Sequence, residues 1–128
     1  MTMTYMPQNF VVWAEIRVRD LDHSIAFYEA VTKGRLRKET MGPQEIAIFE
    51  TPMDGPHVSA NLVVGEPAAE GAGNIVHFGG QGTAEEMRAR VLEAGGTIAQ
   101  DIFEIPPGRV FLAHDPDGNT VGFFEPKA

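Results

Sequence analysis

Residues 10–29, FVVWAEIRVRDLDHSIAFYE, place the pattern of a strand directly before the pattern of a helix. In the first half, apolar residues alternate with Trp13, Glu15 and Arg17, a period of two that predicts a strand with one apolar face buried. In the second half, apolar residues recur at spacings of four and three, which is typical of one side of a helix. We therefore predict a strand followed closely by a helix.

Capping residues and turns predict where the elements of this first half begin and end. Asp20 or Asp22 can cap the helix at its start, and Gly34 is the predicted stop. A turn rich in Pro, Asp and Gly separates the last two of three further strands. These strands are predicted at residues 36–40, 45–50 and 58–64.

The second half of the chain repeats this order of elements. A strand at residues 75–79 precedes Thr83 and Glu86, which have the spacing of a capping box, and the helix that follows stops at Gly95 and Gly96. Three more strands are predicted at residues 97–102, 109–114 and 119–124. A shift of 62 residues superposes the halves and takes Glu15 to His77 and Phe49 to Phe111.

The repeat predicts an α+β fold of two βαβββ modules in one domain over residues 1–128. Module one covers about residues 8–64, a linker rich in small residues covers 65–73, and module two covers about 74–126. A chain of this length can bury roughly two thirds of its unfolded surface.

Composition excludes several classes of protein. The chain has 128 residues, a net charge of −8, 43% hydrophobic residues and no cysteine. The absence of cysteine excludes a disulfide scaffold and a thiolate zinc site, and no apolar run is long enough to span a membrane. The N-terminus lacks the layout of a signal peptide, so we expect a cytoplasmic protein. The negative charge argues against nucleic-acid binding, since a phosphate backbone needs a basic patch.

Three stretches resemble a known family: residues 15–29, residues 94–96, and residues 111–119 with the sequence FLAHDPDGN. Together they resemble the vicinal oxygen chelate superfamily of glyoxalase I, bleomycin- and fosfomycin-resistance proteins, extradiol dioxygenases and methylmalonyl-CoA epimerase. The resemblance implies paired βαβββ modules that enclose a cup, commonly in homodimers. It also implies a structural role for Tyr28 and the late turn.

The metal-dependent members of this superfamily hold a divalent cation with four cup-facing side chains, usually His, Gln and Glu. The resemblance carries those positions to Trp13, Asn61, Ile75 and Gly122. Because Trp, Ile and Gly do not ligate through side chains and Asn is a weak ligand, we expect no metal and no other cofactor. A divalent metal held elsewhere is the alternative. The four residues become candidate ligand-binding positions.

Glu15 and His77 form the candidate catalytic pair. Strand alternation points both into the same cup, at the same place in each module. A carboxylate beside an imidazole can serve as general base and acid, or can begin a two-ligand metal site. The alternative is a polar wall of a ligand-binding cup, satisfied by water or by Arg17.

Three further residues are candidates for ligand contact. Trp13, the only tryptophan, predicts an apolar ligand wall, a dimer contact or core packing. Phe111 can line an apolar cup, although phenylalanine on a strand is more often core. Arg109 follows a proline-rich loop whose rim position would suit contact with an anionic ligand, and a rigid exposed loop is the alternative.

Three functional hypotheses follow. The first is a binding protein that holds a small, partly apolar molecule in a metal-free cup. The second is a lyase, isomerase or dioxygenase, metal-dependent or acid/base, with a relocated site around Glu15 and His77. The resemblance to lactoylglutathione lyase-type enzymes leaves the question of catalysis open. The third is a structural dimerising domain, which predicts no accessible cavity.

Overall fold

The structure, a computed structural model, describes residues 3–55 and 57–128 of the chain. Each half contains a strand, a helix and three strands, so the predicted α+β fold of two βαβββ modules is confirmed. No helix in these ranges is long and apolar enough to cross a membrane. The elements are β1 (Trp13–Val18), α1 (Leu21–Thr32), β2 (Leu36–Met41), β3 (Gln44–Phe49), β4 (Ser59–Val64), β5 (Val76–Gly79), α2 (Ala84–Glu93), β6 (Thr97–Ile105), β7 (Gly108–His114) and β8 (Thr120–Pro126).

Each module forms its own four-stranded sheet, with its first strand at one edge. The strand orders are β1-β4-β3-β2 and β5-β8-β7-β6. The edge strand pairs in parallel with the last strand of its module, which sets Glu15 opposite Asn61 and His77 opposite Gly122. As a result β1 and β5 are both edge strands, and side chains of both modules line the space between them.

The helices begin where the sequence predicts. Asp20 caps α1 by accepting a hydrogen bond from the His23 amide at 3.0 Å. Thr83 and Glu86 form the reciprocal capping box at the start of α2. The prediction of Gly34 as the stop of α1 is wrong by one residue. Lys33 takes the left-handed conformation at φ 64° and donates its amide to the Glu29 carbonyl, which ends the helix first.

The first strand is shorter than the alternation predicts. It begins at Trp13 because its partner β4 begins at Ser59, so residues 10–12 have no strand beside them in the described part of the chain. The apolar side chains of residues 10–12 are therefore largely exposed. In the second module, β6 and β8 instead extend beyond the predicted ends because each has a neighbouring strand along most of its length.

One hydrophobic core spans both modules. The Tyr28 ring from α1 lies 5.3 Å from the Phe78 ring of β5, and the Phe49 ring of β3 lies 4.9 Å from the same Phe78 ring. Phe78 in turn stacks on Phe123 of β8 at 5.9 Å. Because aromatic side chains bury large apolar areas, this row of rings couples the two sheets energetically.

A buried carboxylate links the modules at one end of this core. Asp115 is 4% exposed and accepts the hydroxyl of Tyr28 at 2.7 Å. Its other hydrogen bonds come from the amides of Asp117 and Asn119 at 3.0 and 2.9 Å and from the Asn119 side chain at 3.1 Å. Four donors satisfy the charge, which would otherwise be costly to bury.

The same turn also holds the end of β1 and the start of α1. The Arg19 amide donates to Asp117 at 3.1 Å, and the Ser24 hydroxyl donates to the other Asp117 oxygen at 3.3 Å. The Asn119 side chain donates to the Arg17 carbonyl at 3.0 Å. These contacts fix the orientation of β1 relative to module two.

We expect Tyr28→Phe to lower the free energy of unfolding by about 1.5 to 3 kcal/mol at neutral pH, because it removes a hydrogen bond to a buried carboxylate. Urea unfolding measures this change. Tyr5→Phe, at a 76% exposed tyrosine, is the control and leaves stability unchanged. An equal effect of the two variants would contradict the role of the Tyr28–Asp115 bond.

The stability difference between wild type and Tyr28→Phe should also depend on pH in the alkaline range. Burial, followed by the charge of Asp115, raises the pKa of Tyr28 well above its ordinary value of 10.0. Above pH 10 this tyrosine ionises in the unfolded chain before it does so in the folded one, which lowers wild-type stability by up to about 1.4 kcal/mol per pH unit. The stability difference between wild type and Tyr28→Phe therefore narrows as the pH rises above 10.

Candidate functional site

A cavity of about 1420 Å³ lies between the two modules. Its walls come from the edge strands β1 and β5, with the end of β3, the start of β4 and part of residues 66–75 around them. The third hypothesis, a structural domain without an accessible cavity, does not fit this geometry. Five of the predicted site residues line the cavity: Trp13, Glu15, Arg17, Ile75 and His77.

Trp13 is held in place by a buried asparagine. Its indole Nε1 donates to Asn61 Oδ1 at 2.7 Å, and Asn61 itself is fully buried. The Asn61 amide donates in turn to the Leu62 carbonyl at 3.3 Å. Trp13 as a whole remains 42% exposed and lines the cavity. Asn61 therefore lies behind the wall as the residue that orients Trp13.

Glu15 and Arg17 follow Trp13 on the same face of β1. Alternate residues of a strand point to the same side, and the intervening Ile16 is buried in the core. Within the described ranges, neither Glu15 nor Arg17 has a hydrogen-bond or ion-pair partner for its side chain. The Arg17 stem lies against Gly65, where a Cβ atom would come within 3.2 Å of Arg17 Cδ. A side chain at position 65 would therefore push the Arg17 stem aside by a few tenths of an ångström.

His77 occupies the corresponding position on β5. Its ring lies over Gly122 of the neighbouring β8, and a Cβ atom on Gly122 would overlap the ring. Gly122 therefore provides the space for His77 and does not itself line the cavity. In the described part of the chain, the imidazole of His77 has no hydrogen-bond or ion-pair partner.

The four positions that the resemblance assigns to metal ligands do not fit a divalent cation. The Trp13 indole N–H has no lone pair for a metal ion, and its hydrogen bond occupies the side-chain oxygen of Asn61. Ile75 and Gly122 bring no donor atom. Over residues 3–55 and 57–128, no three His, Asp or Glu side chains come together in a group that could hold a metal ion.

Arg109 and Phe111 lie outside the cavity wall. Arg109 forms two 2.7 Å hydrogen bonds to Glu85 and one of 2.6 Å to Glu125, so its guanidinium is occupied by carboxylates beside α2. These bonds lower the pKa of Glu85 to about 2 and raise that of Arg109. Phe111 is fully buried, with its ring 5.5 Å from that of Phe123. The structure does not bring either residue to the predicted site.

Sequence reasoning missed Phe78 of module two, which lines the cavity together with Phe49 of module one. Phe49 is half-buried and Phe78 is almost fully buried, and both residues belong to the cavity lining. No sequence signal pointed to Phe78, because its alternation with His77 on β5 assigns its side chain to the core face of the sheet. Only the contact between modules brings Phe49 beside it.

Comparison with known proteins agrees with this geometry. A family model described as Glyoxalase/Bleomycin resistance protein/Dioxygenase superfamily matches residues 10–123. The uncharacterized protein YwbC of Bacillus subtilis (strain 168) is 35% identical over 120 residues, which cover 86% of this chain and 92% of YwbC.

Two solved structures show the same fold. The hypothetical protein SA1046 from S. aureus is 20% identical, with a TM-score of 0.67 over 94% of this chain and 95% of its own. A mutant of the genomically encoded fosfomycin resistance protein FosX from Listeria monocytogenes, complexed with Mn(II) and 1S,2S-dihydroxypropylphosphonic acid, is 16% identical. Its TM-score is 0.68 over 95% of each chain. The chain thus belongs to the Glyoxalase/Bleomycin resistance protein/Dioxygenase superfamily.

Proposed function

We propose that the chain binds a small, partly apolar molecule in the cavity between its modules, without a metal ion. The observation that carries this proposal is the Trp13 indole, which is oriented by Asn61 and exposed to the cavity. Phe49, Phe78 and Ile75 supply further apolar surface in the same cavity. A concave, largely apolar site with a few placed polar groups is the usual form of a small-molecule site.

Trp13 is the only tryptophan, so its emission reports directly on this cavity. We expect a thermal-shift screen of antibiotics, 2-oxo aldehydes and thiol conjugates to yield a compound that raises Tm and changes the Trp13 emission. Trp13→Ala should raise the Kd of that compound about tenfold, since a buried aromatic contact is worth about 1 kcal/mol or more. Calorimetry measures Kd in the variant.

Leu92→Ala is the matched control, because Leu92 is 57% exposed on α2 and does not line the cavity. It should leave Kd unchanged. An unchanged Kd in Trp13→Ala would remove Trp13 from the binding wall and favour its other predicted roles, in a dimer contact or in packing.

Acid/base catalysis by Glu15 and His77 is the second candidate function. Both side chains line the same cavity from equivalent edge strands, and both are unpartnered in the described ranges. A carboxylate and an imidazole that are free of structural partners are available to a substrate. The enzyme alternative of the sequence analysis, a lyase, isomerase or dioxygenase, would use this same relocated site, either by acid/base catalysis or with a divalent metal.

Metal content and turnover separate the two candidates. Protein purified without chelator should contain no stoichiometric Ni, Zn, Mn or Fe, and it should release the screened compound unchanged. Turnover that falls in both Glu15→Gln and His77→Ala, but not in the control His23→Ala, would establish the enzyme instead. His23 is exposed in the first turn of α1 and lies outside the cavity lining.

We also propose that the chain forms a homodimer. The segment before β1 carries apolar side chains that are 65% to 86% exposed, a larger apolar surface than single exposed residues explain. The apolar residues of this segment are Met3, Tyr5, Met6, Phe10, Val11 and Val12. A cytoplasmic location remains a prediction from the sequence.

Light scattering during gel filtration tests the dimer. Wild-type protein should elute at twice the mass of one chain at micromolar concentration. Exchange of Phe10 and Val12 for serine should shift it toward the monomer, because their exposed apolar surface would no longer be buried by a partner. Leu92→Ser, at an exposed apolar residue on α2, is the control and stays dimeric. A monomeric wild-type protein would overturn this proposal.

A further inference from the structure

Arg17 differs from the other arginines in its lack of a partner among the described residues. In the part of the chain that the structure describes, each of the other arginines binds a carboxylate or a backbone carbonyl, and the Arg17 guanidinium binds neither. The pairs are Arg19–Asp117, Arg35–Glu50, Arg37–Glu50, Arg88–Asp101, Arg90–Val31 and Arg109–Glu85. The chain has 18 acidic residues, yet no described one pairs with Arg17. Its guanidinium is therefore available to a ligand in the cavity.

The Arg17 side chain is nevertheless well positioned. Its backbone carbonyl accepts the Asn119 side chain at 3.0 Å, and its stem lies against Gly65. On the neighbouring strand β4, the residue directly opposite is Val63, an apolar side chain that also lines the cavity. The guanidinium thus has an anchored stem and an apolar neighbour, and it retains its full hydrogen-bonding capacity for a ligand.

Two polar side chains of β4, the strand beside β1, are satisfied within the protein. The Ser59 hydroxyl donates to the Phe49 carbonyl at 2.6 Å, and Asn61 is engaged by Trp13. Glu15, which lies opposite Asn61 in the register, has no such bond in the described ranges. Ser59 and Asn61 are therefore paired within the protein, while Glu15 and Arg17 are left to the cavity.

The three exposed positions of β1 form an ordered series along one face of the strand. Trp13 presents an apolar surface, Glu15 a negative charge and Arg17 a positive charge. Alternate residues of a strand are separated by about 6.6 Å, so the series extends over about 13 Å. Glu66 from the linker adds a second carboxylate to the cavity lining. The other two charged residues of the lining, Arg35 and Glu50, form an ion pair and neutralise each other.

We infer that the ligand is a small zwitterion that carries an apolar group, a cationic group and an anionic group in that order. This inference rests on the proposed binding function and names the class of molecule that the site takes. The apolar group packs on Trp13, the cationic group lies at Glu15 and the anionic group binds the Arg17 guanidinium. Uncompensated charges of both signs in one cavity favour a zwitterion over a simple anion or cation, since either of these would leave one wall charge desolvated and unpaired.

Four forms of one dipeptide test this order of groups. L-Phenylalanylglycine has the ring, the amine and the carboxylate in sequence. Its N-acetyl form lacks the cation, its C-terminal amide lacks the anion, and the form with both modifications is neutral. Calorimetry with Trp13 emission as a second readout should show the unmodified dipeptide binding about tenfold tighter than either singly modified form, and about a hundredfold tighter than the neutral form.

Charge-neutralising variants assign each charge to its residue. Arg17→Gln should weaken the unmodified and N-acetyl dipeptides about tenfold and leave the amide unchanged. Glu15→Gln should weaken the unmodified dipeptide and the amide and leave the N-acetyl form unchanged. Arg88→Gln and Glu93→Gln make the same charge changes outside the cavity lining and should alter none of the four affinities.

Any of three results would overturn the inference. The zwitterionic and neutral dipeptides could bind equally, Arg17→Gln could weaken the affinity for all four forms by the same factor, or none of the four could bind. Failure of the proposed binding function is a separate result. It would appear as a compound screen without any change in Trp13 emission. A screened apolar compound that binds at Trp13 while all four dipeptides fail would leave the binding function intact and remove only the zwitterion.

Discussion

The buried Asp115 carboxylate is the interaction on which the arrangement of the two modules depends. It accepts the Tyr28 hydroxyl from module one while the amides of its own turn satisfy its other oxygen. A charge that is 4% exposed tolerates no missing partner, so the helix that carries Tyr28 and the turn that carries Asp115 have one favourable relative position. The aromatic rings of Tyr28, Phe49 and Phe78 pack at the same junction, so apolar contacts hold the modules together beside the hydrogen bonds.

The cavity is a consequence of this junction. The modules meet through α1 and the aromatic row, and their edge strands β1 and β5 line a common space. The turn that contains Asp117 and Asn119 also holds the end of β1, through the Arg19 amide and the Arg17 carbonyl. The side chains that would meet a ligand are therefore positioned by the same contacts that join the modules, which gives the site a rigid support.

Much of the fold was predictable from local patterns. Alternation predicted the strands, and Asp20 and Thr83 predicted the helix starts, because a capping side chain acts on amides only two or three residues away. Errors occurred where a partner strand decided the outcome. Residues 10–12 belong to the predicted first strand, yet no strand of the described chain lies beside them. The error at the end of α1 has a different cause, because the backbone of Lys33 adopts the left-handed conformation that was expected of Gly34.

The sequence by itself determined the two βαβββ modules, the family and the facing of Trp13, Glu15 and Arg17 on one side of β1, because strand period and capping are local properties. Only the tertiary structure decided which candidate site residues face the cavity and which are occupied by partners within the protein. It placed Asn61 behind Trp13, Gly122 beneath His77, Phe111 in the core and Arg109 between two carboxylates. Such pairings join residues far apart in the chain, and whether a polar group is already satisfied depends on neighbours that no local pattern specifies.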